Sequence, residues 1–64
     1  MNKDIGMTRL DALKLDNNGS FYTDYDEDSA CYGVFGTESG FCYALETEDN
    51  IAEEIANKMN EKEF

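Results

Sequence analysis

The sequence predicts a small α+β domain in which an antiparallel sheet of three to four strands carries a C-terminal helix packed on one face. Three observations lead to this prediction: the chain has only 64 residues, its C-terminal part repeats apolar residues at helical spacing, and two aromatic segments flank a turn sequence. No proline, repeat or low-complexity tract divides the chain, so we expect one domain over residues 1–64. Residues 1–7 precede the first predicted element and are expected to form a flexible or loosely attached N-terminus.

The C-terminal helix is the clearest predicted element. Five apolar residues recur at three- and four-residue spacing and make one stripe: Ile51, Ala52, Ile55, Ala56 and Met59. Thr47 or Asp49 can cap the start of this helix. Lys58 and Lys62 stand near its C-terminal end, where the helix dipole favours positive charge, so the order of charges also favours a helix.

A hairpin is predicted before this helix. Residues 30–36 and 40–46 have the composition of short strands, and Thr37-Glu38-Ser39-Gly40 is typical of a tight turn. Pairing about this turn places Cys42 opposite Phe35 and Cys31 opposite Glu46. It puts Tyr32, Val34, Phe41, Tyr43 and Leu45 on one face, and Cys31, Gly33, Phe35, Cys42 and Ala44 on the other. One helix covers only one apolar face, so the other is expected to meet a further element, a second copy of the chain or a target.

A second hairpin is predicted around Asn17-Asn18-Gly19, with Leu15 opposite Phe21. In this register the inward residues are Leu13, Leu15, Phe21, Thr23 and Tyr25, and the outward residues are Lys14, Asp16, Tyr22, Asp24, Asp26 and Asp28. An alternative remains open, because Thr8 followed by Asp11 resembles a weak helix start and favours a short helix over residues 8–15. The alternation of Leu13, Lys14 and Leu15 favours the strand.

The two cysteines, Cys31 and Cys42, are expected to be small buried thiols. The predicted hairpin register separates them by about 13 Å, too far for a disulfide, at a rise of about 3.3 Å per residue. Two cysteines are also half of the ligand set of a structural zinc site, which is the alternative interpretation.

Negative charge is concentrated in the middle of the chain, whose formal net charge is −10. Residues 16–54 contain no lysine or arginine and hold 11 acidic residues: Asp16, Asp24, Asp26, Glu27, Asp28, Glu38, Glu46, Glu48, Asp49, Glu53 and Glu54. Such a chain is repelled by DNA, RNA and anionic lipid within a Debye length of about 8 Å at physiological salt. We therefore expect partners with basic surfaces, no direct nucleic-acid binding and no membrane association. The start of the chain lacks the apolar stretch of a signal peptide, so a cytoplasmic protein is expected.

The candidate binding residues surround the acidic segment 24–28. Alternate residues on a strand lie about 6.7 Å apart, so Asp24, Asp26 and Asp28 can present carboxylates at a separation like that of neighbouring phosphates. Tyrosines among these acids are candidate anchors, because tyrosine is common at interfaces. The predicted partner-binding set is Asp16, Tyr22, Asp24, Tyr25, Asp26, Glu27, Asp28 and Glu38. The competing interpretation is that residues 24–28 form only a solvated, charged turn.

In size, acidity and clustered carboxylates such as Asp24-Tyr25-Asp26-Glu27-Asp28, the chain resembles the small acidic inhibitor proteins of phages and mobile elements. These include DNA mimics and several anti-CRISPR proteins. The resemblance is one of overall character and covers no residue-by-residue motif. It implies a class of action, inhibition of a host defence or DNA-processing protein, and a location in the host cytoplasm.

Other chemistry is poorly supported by the composition. The chain has no histidine, and its glycines form no phosphate-binding loop, so we expect no enzyme activity, no cofactor and no metal site. The acidic segment lacks the glycine and the final glutamate of an EF-hand loop, although calcium binding stays a minor alternative. The leading prediction is a non-enzymatic inhibitor that binds the basic groove of a nucleic-acid-binding protein. Its rival is a self-associating structural or regulatory module, a homodimer through the second apolar hairpin face, whose acidity serves solubility.

Overall fold

Three strands and two helices make up the fold in the computed structural model, which describes residues 7–62. The elements are α1 (Arg9–Asp16), β1 (Phe21–Asp26), β2 (Cys31–Gly36), β3 (Cys42–Glu46) and α2 (Asp49–Asn60). The strands form one antiparallel sheet in the order β1-β2-β3, and α2 packs against it. The predicted α+β class is confirmed. Residues 1–6 of the expected N-terminal segment lie outside the described residues, and Met7 packs, half-buried, against the core.

The predicted strand over residues 13–15 is wrong, and the alternative of a short helix is correct. Thr8 caps α1, and its Oγ1 accepts a hydrogen bond of 3.1 Å from the Asp11 N–H. Ala12 is fully buried at the helix face that meets the core. Such a cap supplies a hydrogen-bond acceptor for one of the N–H groups that have no partner within the helix. This stabilisation of the helix outweighs the strand preference of the short alternation. Phe21 consequently pairs with Gly36 of β2 and not with Leu15.

The β1–β2 hairpin has a regular register from the Phe21–Gly36 pair to the Asp26–Cys31 pair. Residues 27–30 form its turn, in which Ala30 has a φ of 58°. The acidic segment 24–28 therefore divides at the end of β1: Asp24 and Asp26 belong to the strand, and Glu27 and Asp28 belong to the turn. Of the charged turn that the competing interpretation predicts over residues 24–28, only Glu27 and Asp28 lie in a turn.

The β2–β3 pairing contains a one-residue shift. Phe35 pairs with Cys42 as predicted, but Val34 pairs with Ala44, and Glu46 lies opposite Tyr32 rather than Cys31. The shift inserts Tyr43 as an extra residue, as in a β-bulge, and lets its ring turn into the core. The predicted faces of Ala44 and Leu45 are exchanged as a result, so that Leu45 lies on the face opposite to that of Val34.

The core lies on one side of the sheet and consists of Ala12, Phe21, Val34, Tyr43, Ala52, Ala56 and Met59. The Phe21 and Tyr43 rings meet edge to face with centroids 5.3 Å apart, a favourable aromatic geometry. The apolar stripe of α2 is confirmed at Ala52, Ala56 and Met59, although Ile51 is 39% exposed. Glu48, rather than Thr47 or Asp49, occupies the N-cap position, without a side-chain hydrogen bond. Both helices contribute to this core on one face of the sheet. No helix of residues 7–62 lies on the second face.

Candidate partner-binding surface

The sequence predicts Asp16 on the outer surface, and this prediction is wrong. Its side chain is 0% exposed. The carboxylate accepts hydrogen bonds of 2.9 Å from the Glu38 and Ser39 N–H groups, 2.6 Å from the Ser39 hydroxyl and 2.5 Å from the Tyr43 hydroxyl. Gly36 passes directly beneath it, and a Cβ at that position would overlap the carboxylate. Asp16 therefore joins α1 to the β2–β3 turn and is removed from the candidate surface.

The pKa of Asp16 is lowered and the pKa of Tyr43 is raised, and both shifts preserve the hydrogen bond between the two side chains at neutral pH. Burial alone raises the pKa of Asp16, but the hydrogen bonds from the Ser39 and Tyr43 hydroxyls and from the Ser39 and Glu38 N–H groups outweigh it, so the net pKa is lowered. Burial, followed by the hydrogen bond to Asp16, raises the pKa of Tyr43 to about 12. At neutral pH the carboxylate is charged and the phenol holds its proton.

The acids of the β1–β2 hairpin remain at the surface, and two of them also shape it. Asp26 is half-buried, and its carboxylate accepts hydrogen bonds from the Asp28 N–H (3.3 Å) and the Ser29 hydroxyl (2.9 Å). Asp24 is exposed, and its Oδ1 accepts a hydrogen bond of 2.9 Å from the Tyr25 N–H. Glu27 and Asp28 are exposed in the turn. The hairpin therefore presents carboxylates to solvent, and Asp26 helps to order its turn.

The topology gathers further acids at the same end of the sheet. Asp26 pairs with Cys31 on one side of β2, and Glu46 pairs with the next residue, Tyr32, on the other side. The chain then passes directly from Glu46 into the start of α2. We call this region the acidic end, and its members are Asp26, Glu27, Asp28, Glu46, Glu48 and Asp49.

The lysines at the C-terminal end of α2 lie away from the acidic end. The Asn60 side chain, in the last turn of α2, bonds to Phe21 at the start of β1, so this helix ends at the opposite end of the sheet. Lys62 Nζ donates there to the carbonyls of Asn17 (2.9 Å) and Gly19 (3.0 Å). The Arg9 guanidinium lies 5.3 Å from the centre of the Tyr43 ring. Within residues 7–62 the charge is thus polarised along the strands, with the lysines of the α2 C-terminal region at one end and the acidic end at the other.

The remaining predicted site residues do not all meet. Tyr22 lies opposite Phe35 and contacts its ring (centroids 5.7 Å apart), whereas Tyr25 lies opposite Tyr32 and meets it edge to face at 5.0 Å. Neighbouring strand positions of opposite parity point to opposite faces, so the two tyrosines do not share a surface. Glu38 lies in the β2–β3 turn, at the other end of strands about 17–20 Å long. The structure therefore separates Glu38 and Tyr25 from Tyr22 and Asp24.

The second face of the sheet is exposed and partly apolar. We call it the open sheet face, and its members are Tyr22, Asp24, Gly33, Phe35, Cys42 and Leu45. The Phe35 ring covers Gly33, where a Cβ would come within 2.6 Å of its Cζ atom. Tyr22 is 45% exposed and Leu45 is 48% exposed. The sequence predicts a second apolar face with Ala44 on it. The structure has Leu45 in that place, opposite Gly33.

Both cysteines are free thiols. Cys31 is half-buried and Cys42 is exposed, so the prediction of two buried thiols is wrong for Cys42. The reason is its register opposite Phe35, which places it on the open sheet face. Each thiol lies near a backbone carbonyl, Cys31 at 3.4 Å from Ser29 O and Cys42 at 3.5 Å from Ala44 O.

Side chains occupy backbone groups along both outer strands. The Asn60 side chain accepts from the Phe21 N–H at 2.7 Å and donates to the Phe21 carbonyl at 3.0 Å. On β3, Arg9 Nη1 donates to the Tyr43 carbonyl at 3.2 Å. Exposed strand edges are templates for pairing with another chain, and occupied edge groups hinder that pairing.

Comparison of the chain with known protein families, with curated proteins and with solved structures found no match. Neither described helix is long and apolar enough to cross a membrane. Within residues 7–62, no three or more cysteine, aspartate or glutamate side chains are grouped so as to hold a metal ion. The candidate surface therefore has to be interpreted from its own residues, the acidic end and the open sheet face.

Proposed function

We propose that the protein is a non-enzymatic inhibitor that binds the basic surface of a nucleic-acid-binding protein and competes there with nucleic acid. The observation that carries this proposal is the acidic end, where the hairpin turn, the end of β3 and the start of α2 bring six acids together. The surface that normally faces phosphates on such a partner is rich in lysine and arginine. Carboxylates gathered at one end of the sheet are complementary to it.

The polarity of the molecule supports an oriented encounter. The net charge of −10 attracts basic partners at long range, and the six acids at one end turn that end towards them. The lysines of the α2 C-terminal region lie at the far end, so they do not weaken the field at the acidic end. Charge that served solubility alone would have no need of this arrangement.

The proposal is tested with two variants of equal charge. In the first, four acids of the acidic end become amides: Glu27→Gln, Asp28→Asn, Glu48→Gln and Asp49→Asn. Asp24 and Asp26 are kept, because their carboxylates accept the hydrogen bonds that shape the hairpin. In the control, four exposed glutamates elsewhere become glutamine: Glu38, Glu53, Glu54 and Glu61.

Binding to a panel of purified DNA- and RNA-binding proteins is measured by biolayer interferometry. The acidic-end variant is expected to bind about tenfold more weakly, because four rim charges contribute a few tenths of a kcal/mol each. The control is expected to retain most of the affinity. Equal losses in both variants would indicate non-specific charge attraction, and binding to no member of the panel would refute the proposal.

A second candidate function is self-association, which the open sheet face favours. Exposed Tyr22 and Leu45 beside Phe35 form an apolar patch of the kind that homodimers bury. In this case the acidity serves solubility. Light scattering after size-exclusion chromatography is expected to give twice the monomer mass, and Phe35→Asp is expected to return the protein to the monomer.

A further inference from the structure

We infer that the open sheet face is a docking surface for an apolar projection on a basic protein, with Asp24 and Asp26 pairing with cationic side chains around that projection. This inference rests on the proposed function and names the part of the chain that holds the partner once the acidic end has attracted it.

The apolar side chains of this face are not part of the core. Tyr22 and Leu45 are about half exposed, and Phe35 packs over Gly33 and against the Tyr22 ring. None of these three side chains belongs to the core cluster that both helices share. Aromatic side chains that are held in place before binding lose little conformational entropy on docking, so this face is suited to anchor a partner.

The charge around this apolar part selects the occupant. Asp24 lies opposite Gly33 and Asp26 lies opposite Cys31, so both continue the row of Tyr22 along β1 on the same face. A second copy of the chain would bring another net charge of −10 against these carboxylates. A partner with lysine or arginine around an apolar centre would instead pair with them.

The strand edges favour docking on the face over addition of a strand. Asn60 holds both backbone groups of Phe21, and Asp24 Oδ1 accepts the Tyr25 N–H on the same outer edge. Arg9 holds the Tyr43 carbonyl of β3. A partner that extends the sheet would have to displace these contacts, whereas a partner on the open sheet face would displace none of them.

The experiment uses two fluorescein-labelled helical peptides of equal length and charge. One has lysine on one face and leucine on the other, and the second has serine in place of each leucine. Fluorescence anisotropy with the full chain is expected to show at least about tenfold tighter binding of the leucine peptide, as burial of one or two apolar side chains at about 1.5–3 kcal/mol each allows. Phe35→Ser and Leu45→Ser are expected to remove most of this advantage.

The matched control is Leu10→Ser, which removes a leucine that is 63% exposed on α1, and it is expected to retain the advantage. Leu45→Ser keeps the test valid should Phe35→Ser fail to fold, because Leu45 lies outside the core. Equal binding of both peptides, or loss of the advantage only in Leu10→Ser, would overturn the inference and leave the proposed function standing. Binding of neither peptide would overturn both. A dimer that Phe35→Ser or Leu45→Ser dissociates would assign this face to a second copy and overturn the inference.

Discussion

At the scale of single residues, Asp16 shows how much of this small fold depends on one buried charge. A domain of this size buries only about 60% of the surface of its unfolded chain, so its core alone gives limited stability. Asp16 adds four hydrogen bonds that connect α1 with the β2–β3 turn and with the core residue Tyr43. Hydrogen bonds to charged groups are among the stronger ones in proteins.

Asp16→Asn is expected to lower the free energy of unfolding by about 2–4 kcal/mol at pH 7, because an amide offers one acceptor where the carboxylate offers two. The folded-state pKa of Asp16 is lowered from its ordinary value of 3.8, so its stabilisation is present above that value and is lost as the pH falls through the folded-state pKa. Urea titrations should therefore show a difference between wild type and variant that is full near neutral pH and shrinks below pH 3.8.

The control for this measurement is Asp28→Asn, at an exposed turn position. It is expected to change stability by less than about 0.5 kcal/mol, as is usual for surface substitutions. Tyr43→Phe removes a single hydrogen bond to Asp16 and should cost about 1–2 kcal/mol. A difference between wild type and Asp16→Asn that grows below pH 3.8 would contradict the account.

Ala30 carries a second residue-scale prediction. Its φ of 58° lies in the left-handed region, which costs a residue with a Cβ about 1–2 kcal/mol. Ala30→Gly is expected to raise the free energy of unfolding by about 0.5–1 kcal/mol in thermal or urea unfolding, because part of the relief is offset by the greater freedom of the unfolded chain. Ala44→Gly, at a strand position, is the matched control and should destabilise. Destabilisation by both substitutions would argue against the turn conformation.

At the scale of elements, the sequence predicts α2 and the β2–β3 hairpin because their signals are local. The apolar stripe of α2 spans three turns. The turn sequence at residues 37–40 marks where β2 ends and the chain returns to form β3. The first fifteen residues carry weaker signals, since Leu13-Lys14-Leu15 fits a strand while Thr8 and Asp11 fit a helix cap. The short alternation predicts a strand, which is wrong. The cap signal of Thr8 and Asp11 predicts the helix that is observed.

The errors in the candidate surface follow from the same cause. The outward prediction for Asp16 rests on a strand that is absent from residues 7–62, because residues 9–16 form α1. Its burial depends on Gly36, Ser39 and Tyr43, which are 20 or more residues away in the sequence. The predicted face of Leu45 is wrong because a register shift between strands leaves no clear local signal. The grouping of Glu46, Glu48 and Asp49 with the hairpin acids follows from topology. It was predictable in principle once β2 was paired on both sides.

Asn60 gives the element-scale prediction. Its side chain ties the end of α2 to the outer edge of β1 through two hydrogen bonds to Phe21. Asn60→Ala is expected to lower the free energy of unfolding by about 1–2 kcal/mol and to speed hydrogen exchange at the Phe21 amide. Asn57→Ala, one turn earlier on α2 and exposed, is the control and brings the same gain in helix propensity. Equal effects of the two substitutions would show that the contact with Phe21 has no energetic weight.

At the scale of the whole molecule, the separation of charge sets both stability and association. The described lysines of the α2 C-terminal region lie at one end and six acids lie at the other, so the carboxylates of the acidic end repel one another. Such repulsion destabilises the compact state and is weakened by salt. An even distribution of the same net charge would cause less repulsion, so the observed distribution agrees with a binding role for the acidic end.

Stability is expected to rise with salt. Between ionic strengths of about 0.01 M and about 1 M the Debye length falls from about 30 Å to about 3 Å, and the free energy of unfolding should increase by about 1 kcal/mol in sodium chloride. Urea unfolding measures this change. The acidic-end variant should gain less from salt than the control variant with four glutamines elsewhere, whereas a flat or falling salt dependence in wild type would contradict the polarised distribution.

The central claim, competition with nucleic acid for a basic protein surface, is tested most directly by one measurement. The affinity of the chain for a DNA- or RNA-binding protein that it binds is determined with and without a saturating amount of that protein's nucleic acid. Mutually exclusive binding is predicted, so that the apparent dissociation constant rises in proportion to the nucleic acid added. An unchanged affinity, with the chain, the protein and the nucleic acid together in one complex, would contradict the account.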